Sequence, residues 1–152
     1  MKLDIKLIDG GMIPEYKTEG SVGADCFARL DKPFDLYPNT RAKIPLGFAV
    51  SLPAGFEMQI RGRSGLADKK GIVCYLGTID MDYTGEVCAI LFNKGREVFH
   101  IENKDRIAQA VVAPIVQVGF NQVQELKQTE RGNGGFGRQR LGVRAVLFGR
   151  CV

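Results

Sequence analysis

The chain has 152 residues, 45% of them hydrophobic and 25% charged, with a net charge of +4, which is enough for one domain with one core and excludes a fibrous or wholly disordered protein. No apolar run approaches the ~20 residues of a membrane-spanning helix, and Met1-Lys2-Leu3-Asp4 turns acidic too early for a secretory leader. The expectation is an intracellular, cytoplasmic protein without membrane contact, or a nuclear one if its source is eukaryotic or viral.

In chain order, residues 2–8 alternate apolar and polar as a half-buried strand does, until Gly10 and Gly11 break the pattern. Residues 24–30 predict a strand ended by Asp31-Lys32-Pro33. Residues 43–50 and 57–61 predict two more, separated by Pro53-Ala54-Gly55. A short helix is expected over 64–69, capped by its first residue and ended by Gly71. Strands at 72–76, 86–92, 98–101 and 108–118 follow. Short strands at this spacing predict a sandwich, jelly roll or closed barrel. Residues 129–142 are rich in glycine and charge and cannot bury a core of their own, so they are expected to be mobile without a ligand. Residues 143–148 are apolar again and either add a strand to a neighbour or trail as an extension.

The cysteines, Cys26, Cys74, Cys88 and Cys151, contain no Cys-x-x-Cys pair, and His100 is the one histidine. That argues against a structural zinc site and leaves each cysteine as a small buried hydrophobe. His100 lies in an alternating segment and reads as a surface or cross-strand residue.

Several stretches can carry chemistry. Ile79-Asp80-Met81-Asp82-Tyr83-Thr84-Gly85-Glu86 suggests a β-hairpin with carboxylates near its turn. An ionised carboxylate there can take a proton from water, although Asp and Gly also favour solvated turns for local reasons. In an extended backbone Asp80 and Asp82 share a face. Arg61-Gly62-Arg63-Ser64-Gly65 offers guanidinium forks and a helix start to an anion, or is simply a basic turn. Arg131-Gly132-Asn133-Gly134-Gly135-Phe136-Gly137 offers an arginine and a flat ring on a backbone that cannot pack as strand or helix. It reads as an arm that closes over a nucleotide, the rival being an RGG-like RNA-binding tail, which a single copy and a mild charge disfavour. Asp25, after Gly20-Ser21-Val22-Gly23-Ala24, either helps place a metal through water or caps its turn. Gln109, in Asp105-Arg106-Ile107-Ala108-Gln109, either contacts a ligand or faces solvent.

Taken in chain order, these five stretches resemble the sequence motifs of the trimeric deoxyuridine triphosphatase (dUTPase) family, and Leu91-Phe92-Asn93-Lys94-Gly95 is similar to the family as well. The resemblance extends over nearly the whole chain up to Gly137. It implies an all-β, distorted jelly roll of the β-clip type with one short helix over residues 1–128. It also implies a flexible glycine-rich C-terminal arm and extension, residues 129–152, with the arm exchanged between subunits of a homotrimer whose active sites are shared. The implied reaction is Mg²⁺-assisted hydrolysis of dUTP to dUMP and pyrophosphate, which supplies dUMP for thymidylate synthesis and keeps uracil out of DNA. No direct nucleic-acid binding is implied.

Carried over residue by residue, Asp80 corresponds to the general base that orients the attacking water. Gly77, Ile79 and the residues after them match the nucleoside hairpin, whose backbone pairs with uracil, and Tyr83 packs against the deoxyribose. Arg63, Ser64 and Gly65 match the phosphate-binding turn, and Gln109 a further phosphate contact. Asp25 matches the carboxylate that reaches Mg²⁺ through water. Arg131 matches the arm's phosphate ligand, Phe136 its uracil-stacking lid, and Gly137 the end of that motif.

Gly62 stands where the family commonly has proline, and Arg138-Gln139-Arg140-Leu141-Gly142 stands where it commonly has Ser-Thr-Gly, so charge from Arg138 or Arg140 would replace hydroxyl contacts to phosphate. Two rivals remain: a dCTP deaminase on the same fold, and a binding or regulatory protein that keeps the pocket without turnover.

Overall fold

The computed structural model of the chain describes residues 1–134. Among these, the strands are β1 Asp4–Leu7, β2 Ala24–Phe27, β3 Phe34–Leu36, β4 Arg41–Pro45, β5 Phe48–Ser51, β6 Phe56–Arg61, β7 Ile72–Cys74, β8 Gly77–Ile79, β9 Cys88–Asn93, β10 Phe99–Ile101 and β11 Arg106–Pro114, with one helix, α1, at Ser64–Lys70. They form the expected distorted jelly roll. All pairings between strands are antiparallel, in the orders β2-β11-β6-β8, β4-β9-β7, β1-β5 and β10-β3. The chain separates into two compact units, Met1–Gln117, which holds every strand, and a second beginning at Val118. No helix among the described residues is long and apolar enough to cross a membrane.

The core follows from strand alternation. Phe48, Leu36, Ile44, Leu46, Ile60 and Leu91 are fully buried, and strands such as β6 and β9 supply their inward residues at period two. In β11 both faces are largely covered, so the alternation blurs into the apolar run Ile107, Ala108, Ala110, Val111.

Several expectations need correction. The single strand expected at 43–50 is two strands, because Gly47 adopts φ +74° and turns the chain between β4 and β5. Gly47 also meets a second glycine: a Cβ on Gly11 would lie 1.9 Å from the Gly47 carbonyl oxygen. The strand expected at 24–30 stops at Phe27, and the one expected at 108–118 begins at Arg106 and ends at Pro114. The β3 strand was not anticipated. Ser64 does not cap α1, since the N-cap is Arg63, in extended conformation and without a side-chain cap hydrogen bond, whereas Gly71 does end the helix, at φ +68°. The expected hairpin at 79–86 is not a ladder between its own flanks. β8 pairs with β6, and β9 pairs with β4 and β7, so the segment crosses from one sheet to another.

Asn93 is the fully buried polar anchor of the second sheet. Its amide donates to the carbonyls of Leu36 and Glu97, both at 2.8 Å, and accepts from the Gly95 amide at 2.9 Å. Replacing it with leucine strands two carbonyls and one amide away from water. Asn93→Leu is therefore expected to destabilise the fold by roughly 3 kcal/mol. Urea unfolding followed by circular dichroism checks this, and a midpoint equal to that of the parent chain would refute it.

Candidate active site

β11 lies between β2 and β6, and its register sets Gln109 opposite both Asp25 and Arg61. This places two of the expected site residues, Asp25 and Gln109, at the Arg61 end of the four-stranded sheet. Asp25 is nearly buried, its side chain 12% exposed. Its Oδ1 forms an ion pair with Arg63 Nε at 3.2 Å, and its Oδ2 accepts a hydrogen bond from Arg106 Nη1 at 3.2 Å. Arg63 Nη1 also donates to the carbonyl of Arg106 at 2.7 Å. Gln109 donates its amide to the Gly62 carbonyl at 2.8 Å. Its Oε1 stands against Gly23, where any Cβ would come within 2.3 Å of it. Gly23 is thus small because Gln109 needs the space. Gln109 braces the turn that carries Arg63, a contact that the sequence reading did not foresee.

Ser64 and Gly65 follow at the start of α1, both exposed, and nothing lies within 4 Å of a Cβ placed on Gly65. The amides of Leu66 and Ala67 both bond to the Arg63 carbonyl, so the amides ahead of them have no partner within the helix.

The other group of expected residues sits around β8. Gly77 is paired with Ile60 and Ile79 with Met58. The Ile79 side chain packs against the core, which leaves only its backbone to face a ligand. Asp80 is exposed and opens a tight turn in which the Tyr83 amide donates to the Asp80 carbonyl at 3.1 Å. The backbone there is turned rather than extended, so Asp80 and Asp82 do not share a face as strand residues would. Tyr83 donates its hydroxyl to the Glu86 carbonyl at 2.9 Å, and its ring lies over Gly85, where a Cβ would meet the hydroxyl at 2.7 Å. Glu86 closes the segment: its carboxylate accepts from the Gly47 amide at 3.2 Å and pairs with Arg29 at 3.4 Å.

The strand register separates the two groups. Asp25 lies at the level of Arg61 on β6, while Asp80, one residue past the Ile79–Met58 pair, lies at the level of Glu57. Four residues along the strands and three strands across place Asp25 and Asp80 on the order of 20 Å apart.

Arg131 belongs to the second unit. Its Nε donates to the Gly134 carbonyl at 2.7 Å, and the Gly134 amide returns to the Arg131 carbonyl at 2.9 Å. Phe136, Gly137, Arg138, Arg140 and Cys151 lie outside the described residues.

His100 faces Asp35 directly across β10 and β3. The hydrogen bond to Asp35 raises its pKa above the ordinary histidine value, so it is the cross-strand residue expected. Burial pushes the Cys26 thiol up to about 12 and that of Cys74 to about 11, and raises that of Cys88. All three thiols stay protonated at neutral pH, which suits packing groups rather than nucleophiles.

No group of three or more His, Cys, Asp or Glu among the described residues is placed to hold a metal ion. A single nearly buried carboxylate beside arginines suits an ion that keeps most of its waters and travels with a polyphosphate, as Mg²⁺ does.

Comparison with known proteins adds to this geometry. A sequence model of the family described as dUTPase matches residues 9–139. A Treponema denticola deoxyuridine 5′-triphosphate nucleotidohydrolase is 52% identical over 139 residues, covering 90% of this chain and 96% of its own. The protein of the same name from Chlamydia caviae is 49% identical over 142 residues, covering 90% and 97%. Among solved structures, a G164S dUTPase of Staphylococcus bacteriophage 80alpha in complex with dUpNHpp superposes with a TM-score of 0.83 at 27% identity, covering 90% of this chain and 96% of that one.

Proposed function

Because this chain belongs to the dUTPase family, we propose that it hydrolyses dUTP by attack of water on the α-phosphorus, in a site assembled from more than one copy of the chain. The activity itself, dUTP to dUMP, is that of the family. The further steps rest on the residues.

The observation that carries the shared site is the sheet's polarity. Asp25 and Gln109 lie at the Arg61 end of the sheet, and Asp80, at the far end of the segment that starts at Gly77, is on the order of 20 Å from Asp25. A general base must lie within about 3 Å of the water it deprotonates. Asp80 and Arg63 of one copy therefore cannot serve the same triphosphate, and a homotrimer resolves this by pairing one copy's Asp80 with another's Arg63. The chain beyond Pro114 supports exchange between copies. It carries no strand or helix from 115 to 130, yet Val116, Phe120 and Leu126 are 86%, 97% and 85% exposed. Large apolar side chains left in water on backbone without strand or helix fit a segment that another chain covers.

In the mechanism, the backbone after Ile79 reads the uracil edge. Tyr83, fixed by its bond to the Glu86 carbonyl, forms a wall against the deoxyribose. Arg63, Ser64, Gly65 and Gln109 hold phosphate oxygens, joined by Arg131. Phe136, in the arm motif that ends at Gly137, would stack on the uracil as a lid. Asp80 takes a proton from the water as the new oxygen–phosphorus bond forms, and the bond to the β-phosphate oxygen breaks to release pyrophosphate. Bound with the substrate and reached by Asp25 through water, Mg²⁺ would neutralise phosphate charge. Positioning and electrostatics supply the rate.

The test is pyrophosphate release measured separately with each deoxynucleoside triphosphate in the presence of Mg²⁺. Release from dUTP alone supports the proposal. Ammonia from dCTP would point to the deaminase instead, and tight dUTP binding without turnover to a regulatory protein. A chain ending at Glu130 is expected to fold and assemble normally while kcat/KM for dUTP falls at least a hundredfold, as for loss of a group that excludes water from the site. Full activity in the shortened chain would remove the arm from the mechanism.

A further inference from the structure

We propose that Arg106 is a positioning residue for Arg63, acting through Asp25; this rests on Arg63 being a phosphate ligand, as above. The Asp25 carboxylate is shared, one oxygen to each guanidinium, both at 3.2 Å. A carboxylate held at one oxygen can swing about its own axis. Held at both, it presents Oδ1 to Arg63 Nε in a fixed direction. The second fixed point is the Arg106 carbonyl, which accepts from Arg63 Nη1 at 2.7 Å. Two contacts on different nitrogens define the plane of the guanidinium. The Arg63 Nη2 group makes no hydrogen bond among the described residues and is the nitrogen left to meet a phosphate oxygen.

The strand geometry is arranged for this. Between Arg106 and Ala108 the β2–β11 register shifts, Arg106 facing Phe27 and Ala108 facing Cys26. Bulges of this kind re-aim side chains and free backbone groups from the ladder. Here Ile107 goes into the core, while the side chain of Arg106 turns to Asp25 and its carbonyl to Arg63. Arg106 is also half-exposed, its side chain at 46%, so its truncation removes little packing.

The experiment uses the full chain with dUTP and Mg²⁺, comparing Arg106→Met, Arg63→Ala and the double variant, with Tm recorded for each. Arg106→Met is expected to raise KM about tenfold and move kcat far less. In the Arg63→Ala background, the same substitution is expected to raise KM by less than twofold, because the residue it orients is gone. Arg106→Lys keeps a charge near Asp25 and is expected to recover part of the loss; it also serves if Arg106→Met folds poorly. KM effects that multiply in the double variant would make Arg106 an independent ligand, and an unchanged KM in Arg106→Met would make it ornamental. Either result overturns the proposal. Failure of the underlying reading is separate: it would appear as no pyrophosphate release by the parent chain, or as Arg63→Ala with an unaltered KM.

Discussion

Asp80→Asn is expected to bind dUTP as the parent chain does while kcat falls roughly a thousandfold, the usual contribution of a positioned general base. The substitution is nearly isosteric and replaces a proton acceptor with an amide. It leaves the backbone turn alone, since the bond that closes it runs from the Tyr83 amide to the Asp80 carbonyl, and asparagine suits such turns as well as aspartate. Asp80 is exposed and makes no ion pair among the described residues, so little stability goes with its charge. Pyrophosphate release gives kcat, and calorimetric titration with dUpNHpp gives affinity. A variant whose kcat stays within tenfold of the parent would take Asp80 out of the chemistry.

Gly11→Ala is expected to be the most damaging single methyl group that can be added to the N-terminal region. Its Cβ would sit 1.9 Å from the Gly47 oxygen, 2.6 Å from the Gly47 carbonyl carbon and 2.7 Å from the Ile8 oxygen. None of these atoms can step aside alone. The Gly47 oxygen accepts the Ile8 amide at 2.9 Å, and the Gly47 amide donates to Glu86. The Ile8 oxygen accepts the Gly11 amide at 2.7 Å. Forcing the two backbones apart loosens the β1–β5 pairing and the Glu86 anchor together. A cost of about 3 kcal/mol or more is expected, with Tm lowered by roughly 6–12 °C. Because Glu86 closes the segment that carries Asp80 and Tyr83, activity should decline below the melting transition as well. A melting curve superimposable on that of the parent chain would contradict the clash.

What the sequence disclosed is what local physics controls. The helix end at Gly71, the strand periods and the turn at Asp80 each depend on neighbours a few positions away, and each was legible. The break between β4 and β5 was not. Residues 43–50 read as one strand, and Gly47 breaks it in a turn where Gly11 comes against it. The partners of β8 were missed for the same reason, since nothing near Gly77 says that Ile60 rather than Val87 lies beside it. β3 escaped notice as three residues between Pro33 and Pro38. At the site, the residue types were visible and their contacts were not. Asp25 and Arg106 are 81 positions apart, and Gln109 reaches Gly62 across 47. Arg106 stood inside a quoted motif without a role, because only the sheet brings it to Asp25.

The bare apolar residues after Pro114 bear on how the chain fares in the presence of a protease. Val116, Phe120 and Leu126 sit on backbone that no ladder shields, the kind of segment that proteases nick and holdase chaperones grip. If the proposed trimer covers them, limited proteolysis would cut the chain after Pro114 more slowly in the assembled protein than in a lone copy.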